Sequence, residues 1–226
     1  MPLRYTPIFT VKMKNILFIV FFLFGLSVNA QLGIWNEVGV DKKLGKKFEL
    51  KADVQSRMNS FDWPPDQYIG ELGLAYEFFK NADITAYYRY AQKRKEKKDG
   101  SIELNHFHRF YADLSYKAKF FKPVYLGYRL RYQRQFRDDA SNFITDGNYW
   151  RNKLEVSYKT KFKLEPSVSV DIFLREGAGY DQSRWKLGLD YELLKRQKLG
   201  VYYVMDLSPL QAKQNRISLN YNFKLK

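Results

Sequence analysis

The chain has 226 residues and no cysteine, which excludes disulfide bridges, zinc–thiolate sites and a cysteine nucleophile. Lysine and arginine outnumber aspartate and glutamate by 39 to 24, giving a formal charge of +15. The basic residues alternate with apolar ones instead of forming a patch or stripe, so this charge does not indicate a nucleic-acid partner.

Residues 1–30 predict a signal peptide, with Met13 as the preferred start. Lys14 supplies a positive charge, residues 16–26 an apolar run, and residues 28–30 a small-residue cleavage site. A membrane anchor is the competing interpretation, but the run is shorter than the roughly twenty residues that a spanning helix needs. We therefore expect one domain, residues 31–226, to be exported without any cofactor.

From residue 47 onward, apolar and polar residues alternate in about ten segments separated by turn residues, as in a meander of strands. The expected strands are 48–57, 68–78, 83–90, 109–118, 124–135, 150–158, 167–175, 184–192, 199–205 and 216–225. Loops are expected at 59–66, 93–100, 137–147 and 176–182, and around Pro209. Longer loops alternate with short turns, which is typical of extracellular loops and periplasmic turns.

Residues 32–41, which include Trp35, Val38 and Val40, have two interpretations. They form either a further strand, which would require an unrecognised partner and a total near twelve, or a periplasmic lead-in. The pattern leaves this choice open.

The alternation gives each strand one apolar face and one ionic face, because successive side chains point to opposite sides. In the last segment Leu219 and Tyr221 share one face, and Arg216 and Asn220 the other. Tyrosine and tryptophan concentrate toward the ends of the apolar phase, as in the aromatic girdles of membrane barrels. The pattern predicts an all-β, up-and-down antiparallel transmembrane barrel of 10–12 strands, with a soluble exported β-domain as the alternative.

In such a barrel the ionic phase lines the interior, where charged groups must be paired. One interpretation is a network of ion pairs that plugs the barrel, and the other is a narrow anion-preferring conduit or solute site. The candidate residues of this charge network are Arg57, Glu71, Arg89, Arg109, Asp113, Arg129, Arg131, Arg151, Glu155, Asp171, Arg175, Arg184 and Asp190.

Catalytic and metal-binding patterns are weak. His106 and His108 share the phase of Phe110, so we expect them to point toward lipid or the rim. Asp138 and Asp139 are expected to be solvated. A barrel-embedded lipid-modifying enzyme, of the lipase or deacylase type, remains the alternative function.

Several motifs together resemble an uncharacterised outer-membrane barrel family, domain of unknown function 2490, with members in Bacteroidetes-type genomes. The motifs are Trp35, residues 55–57 (QSR), 87–90 (YYRY), the pair His108-Arg109, and residues 150–155 (WRNKLE). The last resembles an Arg-x-Arg-x-Glu pattern in which Lys153 replaces the second arginine and loses its bidentate geometry. The chain also runs on from Phe223 to Lys226, whereas many such barrels finish on an aromatic residue. The resemblance implies an outer-membrane barrel and no established activity.

These observations predict a protein in the outer membrane of a Gram-negative bacterium, acting as a structural or interaction barrel or a narrow passive channel. The expected partners are outer-membrane lipid, lipopolysaccharide, the barrel assembly machinery and a small anionic solute. The basic tip at residues 94–98 is either a solvated loop or a clamp for lipopolysaccharide phosphates.

Overall fold

A computed structural model describes residues 32–59, 63–139, 142–209 and 213–225, so the predicted signal peptide lies outside the described residues. Eleven strands form one closed barrel. They are β1 (Leu32–Lys43), β2 (Phe48–Met58), β3 (Gln67–Phe79), β4 (Ala82–Glu96), β5 (Ile102–Phe121), β6 (Val124–Asp139), β7 (Asn142–Tyr158), β8 (Leu164–Arg175), β9 (Gly179–Leu194), β10 (Gln197–Leu207) and β11 (Gln214–Leu225). The predicted all-β barrel is confirmed. Within the described ranges there is no helix long and apolar enough to cross a membrane.

The barrel closes through β1. Consecutive strands from β1 to β11 pair antiparallel, and β1 then pairs with β11 in parallel, with Trp35 opposite Ser218. The segment 32–41 is therefore a strand that needs no further partner, because β2 and β11 occupy both of its edges. The interpretation of this segment as a further strand and the expected total of 10–12 strands are confirmed, whereas the additional partner strand and the purely antiparallel pairing were wrong. The resulting odd number of strands departs from the usual even count of bacterial membrane barrels.

The barrel has two ends that differ in their connections. We give the name loop end to the end at which β2, β4, β6, β8 and β10 finish. The other, which carries segments 44–47, 80–81, 122–123, 159–163 and 195–196, is the turn end. Both β1 and β11 run from the loop end to the turn end, because they are parallel.

Strands β4, β5, β6 and β7 are longer than the sequence pattern predicts. Residues expected to form the loop 137–147 instead extend the β6–β7 ladder as far as the pair Asp139–Asn142. Similarly, β4 and β5 continue to Glu96 and Ile102, within and beyond the expected loop 93–100. The alternation pattern did not predict these two extensions, because their residues are mostly polar. A hairpin ladder is held by backbone hydrogen bonds, which do not require alternating apolar side chains.

The apolar phase faces outward and the ionic phase inward. Val54 and Leu72 are 62% and 56% exposed, whereas Arg131 and Asp171 are only 5% and 4% exposed. The buried interior is therefore largely polar, which reverses the arrangement of a soluble β-barrel.

Two glycines let tyrosine rings lie flat against the inner wall. A Cβ at Gly73 would overlap the ring of Tyr87, and a Cβ at Gly188 would overlap the ring of Tyr202. These close approaches fix the position of both rings across the interior.

Candidate functional site

A cavity of about 240 Å³ lies inside the barrel, lined by side chains from nine of the eleven strands. Its lining includes eight cationic side chains and four carboxylates. The cations are Arg57, Arg89, Arg129, Arg131, Arg151, Lys153, Arg184 and Lys186, and the acids are Glu37, Asp53, Glu71 and Asp171. This imbalance makes the cavity the strongest candidate site in the described part of the chain.

Three arginines surround Trp35, which faces the interior from β1. The guanidinium carbons of Arg57, Arg216 and Arg184 lie 4.1, 4.6 and 4.9 Å from the centroid of its ring. Trp35 is buried, so these cation–π contacts form away from water, where they are strongest.

Two further rings continue this arrangement. Phe173 contacts Arg151 at 4.1 Å and Arg184 at 5.3 Å from its centroid. Tyr111 contacts Arg131 at 3.8 Å and Arg89 at 5.8 Å, and it stacks on Tyr87 at 4.6 Å between centroids. We give the name arginine–aromatic belt to Trp35, Phe173 and Tyr111 together with the arginines that contact their rings. The belt also includes Arg109, which lies directly opposite Arg89 in the β4–β5 ladder.

Four carboxylates neutralise part of the belt. Asp113 accepts two hydrogen bonds from Arg131, at 2.6 and 2.7 Å. Asp206 accepts two from Arg184, at 2.7 and 2.8 Å, and one from Arg216 at 2.6 Å. Asp171 pairs with Arg151, and Glu71 with Arg89. Arg131 with Asp113, and Arg184 with Asp206, each form a bidentate ion pair of two parallel hydrogen bonds, which is the strongest arginine–carboxylate geometry.

Two arginines of the belt have no carboxylate partner among the described residues. Arg57 donates to the Gln55 side-chain oxygen at 2.8 Å, and its own Nε is buried without a hydrogen-bond partner. Arg109 donates to the Gln135 side-chain oxygen, with its Nε at 2.9 Å. The belt thus holds seven guanidinium groups against four carboxylates.

The structure brings most of the predicted charge network into this one region, but not all of it. Arg129 contacts Asp171 at 3.3 Å and Asp113 at 3.8 Å. Glu155 pairs instead with Lys153 at 2.5 Å, and Asp190 pairs with Lys198 at 2.9 Å toward the turn end. Arg175 is exposed at the loop end of β8, outside the cavity lining.

Sequence reasoning missed three members of the site. Trp35 and Phe173 are aromatic residues on the ionic phase, and aromatic residues were expected to face outward. Asp206 follows Met205, where the expected strand ended. The signal that could have found Phe173 was present, since it lies two positions from Asp171 and therefore on the same face.

The two histidines face outward among aromatic side chains. His108 Nδ1 and His106 Nδ1 lie 2.7 and 2.6 Å from the hydroxyl oxygens of Tyr88 and Tyr90. His108 also packs edge-on against Phe143, with ring centroids 5.0 Å apart. Among the described residues no group of three histidine or acidic side chains is arranged to hold a metal ion.

The basic tip at residues 94–98 begins within β4 and extends into the connection to β5; Arg94 is half-buried and the other residues are exposed. Its lysine Lys97 pairs loosely with Glu103, at 3.6 Å. The Ser101 hydroxyl and backbone amide donate to Asp99 at 2.7 and 2.9 Å, and these hydrogen bonds lower the pKa of that carboxyl. Asp138 lies exposed on β6 instead of in a loop.

Residues 32–218 match the model of a family described as protein of unknown function (DUF2490). The chain belongs to this family. The match spans β1 through the first half of β11 and therefore includes every residue of the arginine–aromatic belt. No curated protein matches the chain.

Proposed function

We propose that this family member is an outer-membrane β-barrel of a Gram-negative bacterium whose cation-lined interior forms a narrow, passive, anion-preferring passage. The observation that carries the proposal is the reversed polarity of a closed barrel. Exposed Val54 and Leu72 lie opposite a buried interior of arginine–carboxylate pairs. A barrel of this polarity is stable where its outer surface meets acyl chains, since apolar patches of that extent are rare on soluble proteins.

The distribution of outward side chains supports the same location. Tyr68 and Tyr180 are exposed toward the loop end, and Tyr116 and Tyr158 toward the turn end. Aliphatic residues such as Leu72 and Leu154 occupy the outer surface between them. Aromatic girdles that flank an aliphatic band are typical of membrane barrels, because amphipathic rings favour the two interfaces.

The turn end supports contact with anionic lipid. Each of its five connecting segments carries exposed basic side chains and contains no acidic residue: Lys46 and Lys47, Lys80, Lys122, Lys159 with Lys161 and Lys163, and Lys195 with Arg196. Each also contains or adjoins an exposed apolar residue: Leu44, Phe79, Phe121, Phe162 and Leu194. Lysines beside membrane-inserting apolar groups fit the phosphate level of a lipid leaflet. We propose phospholipid headgroups as the partners of this end, and lipopolysaccharide and the assembly machinery as further partners of the barrel.

The passage through the interior is narrow. A second cavity of about 310 Å³ lies at the turn end, and its lining carries five lysines against three carboxylates, Glu49, Glu77 and Asp83. No described residue lines both this cavity and the central one. Cationic linings at both levels favour small anions over cations.

Planar-bilayer recording of the purified barrel tests the proposal. We expect small current steps whose reversal potential in a salt gradient shifts toward that of the anion. Arg57→Gln should reduce the anion preference, while Arg134→Gln, which changes an exposed outward arginine, should not. A folded barrel that inserts and carries no resolvable current would remove the passage and leave a structural barrel.

No specific observation favours the lipid-modifying enzyme. It would need a nucleophile beside a histidine base, whereas the Nδ1 atoms of His106 and His108 are hydrogen-bonded to Tyr90 and Tyr88.

A further inference from the structure

The arginine–aromatic belt has an excess of positive charge that the protein does not neutralise. Its guanidinium groups are Arg57, Arg89, Arg109, Arg131, Arg151, Arg184 and Arg216, and its carboxylates are Glu71, Asp113, Asp171 and Asp206. A buried charge is costly unless it is paired and hydrogen-bonded. The cavity lining, which adds the carboxylates of Glu37 and Asp53, still carries eight cations against four acids, so an anion from outside the chain would stabilise it.

The excess is concentrated near Trp35. Three guanidinium groups contact its ring, and one carboxylate, Asp206, serves two of them. Among the described residues, the third, Arg57, has a neutral amide as its only side-chain hydrogen-bond acceptor and a buried Nε with none. This corner of the cavity thus has net positive charge and unused donors.

Two further acids, Glu37 and Asp53, line the cavity but form no ion pair with an arginine among the described residues. Glu37 lines the cavity and accepts a hydrogen bond from Asn220 at 3.2 Å. Asp53 also lines the cavity, and neither acid forms an ion pair among the described residues. Glu37 offsets part of the charge of Arg57 from a distance, but neither carboxylate supplies the hydrogen bonds that the Arg57 guanidinium lacks.

We propose that the belt binds a small phosphate-type dianion at Arg57, beside Arg184 and Arg216. This deepens the proposed passage and rests on it for the route by which the anion enters. Guanidinium groups present planar forks that match phosphate oxygens, and several of them around one dianion give both charge balance and geometry. The volume of about 240 Å³ admits inorganic phosphate or a short phosphate monoester.

The aromatic rings explain why the arginines stay in place without the anion. Stacking on Trp35 holds three guanidinium groups in one region and offsets part of their repulsion. The site is therefore largely formed before the ligand arrives, which lowers the entropic cost of binding.

The test is a calorimetric titration of the folded barrel in neutral detergent with inorganic phosphate, followed by glycerol phosphate. Saturable binding is expected for the natural chain, and Arg57→Gln should weaken it by roughly tenfold or more, because a charge-assisted contact is lost. Arg57→Lys should be intermediate, since it keeps the charge and loses the fork. Arg134→Gln should bind as the natural chain does. If only the monoester binds, the natural ligand is a phosphorylated organic molecule; if both bind, free phosphate suffices.

Absence of saturable binding to the folded natural chain would overturn the proposal, as would equal affinity in Arg57→Gln. If Arg57→Gln fails to fold, as judged by electrophoretic mobility with and without heating, Arg57→Lys decides. Binding is measured without a membrane, so a barrel that binds phosphate but carries no current would refute the passage and keep this site. A barrel that conducts anions without binding phosphate would refute this site and keep the passage.

Discussion

Arg57 lies directly opposite Trp35 in the ladder between β1 and β2, and its guanidinium carbon is 4.1 Å from the centroid of the Trp35 ring. This contact joins the strand that closes the barrel to the arginines of the interior. Trp35 consequently has two roles: it fills the inner wall and it holds three cations.

Replacing Trp35 with leucine should lower the free energy of unfolding by about 2–4 kcal/mol, because a buried ring and three cation–π contacts are lost. Urea unfolding of the refolded barrel in detergent measures this change. Trp63→Leu provides the control, since Trp63 is 80% exposed and should be nearly neutral. Equal effects of the two variants would show that the interior contacts of Trp35 contribute little.

Replacing Asp206 with asparagine should destabilise the barrel by about 3 kcal/mol, because Arg184 and Arg216 would both lose their carboxylate. The same variant should bind phosphate more tightly, since it increases the positive charge around Trp35. Glu103→Gln removes an exposed ion pair with Lys97 and should change stability by well under about 1 kcal/mol. Weaker phosphate binding by Asp206→Asn would contradict the charge argument.

Substituting alanine for Gly73 should destabilise the barrel by about 1–3 kcal/mol, because its Cβ would overlap the Tyr87 ring. Gly70→Ala is the matched control on the same strand, because a Cβ there meets no atom within 4 Å. Combining Gly73→Ala with Tyr87→Ala should relieve the overlap, so the two changes should be non-additive. Additive effects would mean that the ring does not rest on Gly73.

Exchanging Lys161 and Lys163 for glutamate should slow insertion into vesicles that contain anionic phospholipid. These lysines flank exposed Phe162 at the turn end, and each basic residue near such a surface contributes about 1 kcal/mol. In neutral vesicles the variant and the natural chain should insert alike. The same exchange at Lys97 and Lys98, at the loop end, distinguishes a turn-end effect from a change in overall charge.

The period-two alternation was sufficient to predict the face of most residues, because side-chain direction in a strand is local. The partner of β1 is not local: Trp35 pairs with Ser218, nearly the full domain away in sequence. The full length of the β6–β7 hairpin was also not predictable from the alternation, since Arg137 and Asp138 have polar side chains and join the ladder through their backbones. Within the site, the ionic residues were predicted from the pattern, whereas Trp35 and Phe173 were not. Their inward direction follows from the strand period, as Asp171 shows for Phe173, but the arginine contacts that stabilise an aromatic ring on the ionic face are created only by the closed barrel.

The central claim is the outward direction of the apolar face in a membrane. Because the chain has no cysteine, single cysteines at Leu72, Leu189 and Ser218 can carry a fluorescent label in a barrel reconstituted into vesicles. Lipids with spin-labelled acyl chains should quench the label strongly at positions 72 and 189 and weakly at position 218, whose side chain is buried in the interior. Strong quenching at 218 with none at 72 and 189, or quenching of all three only by a water-soluble agent, would contradict the account.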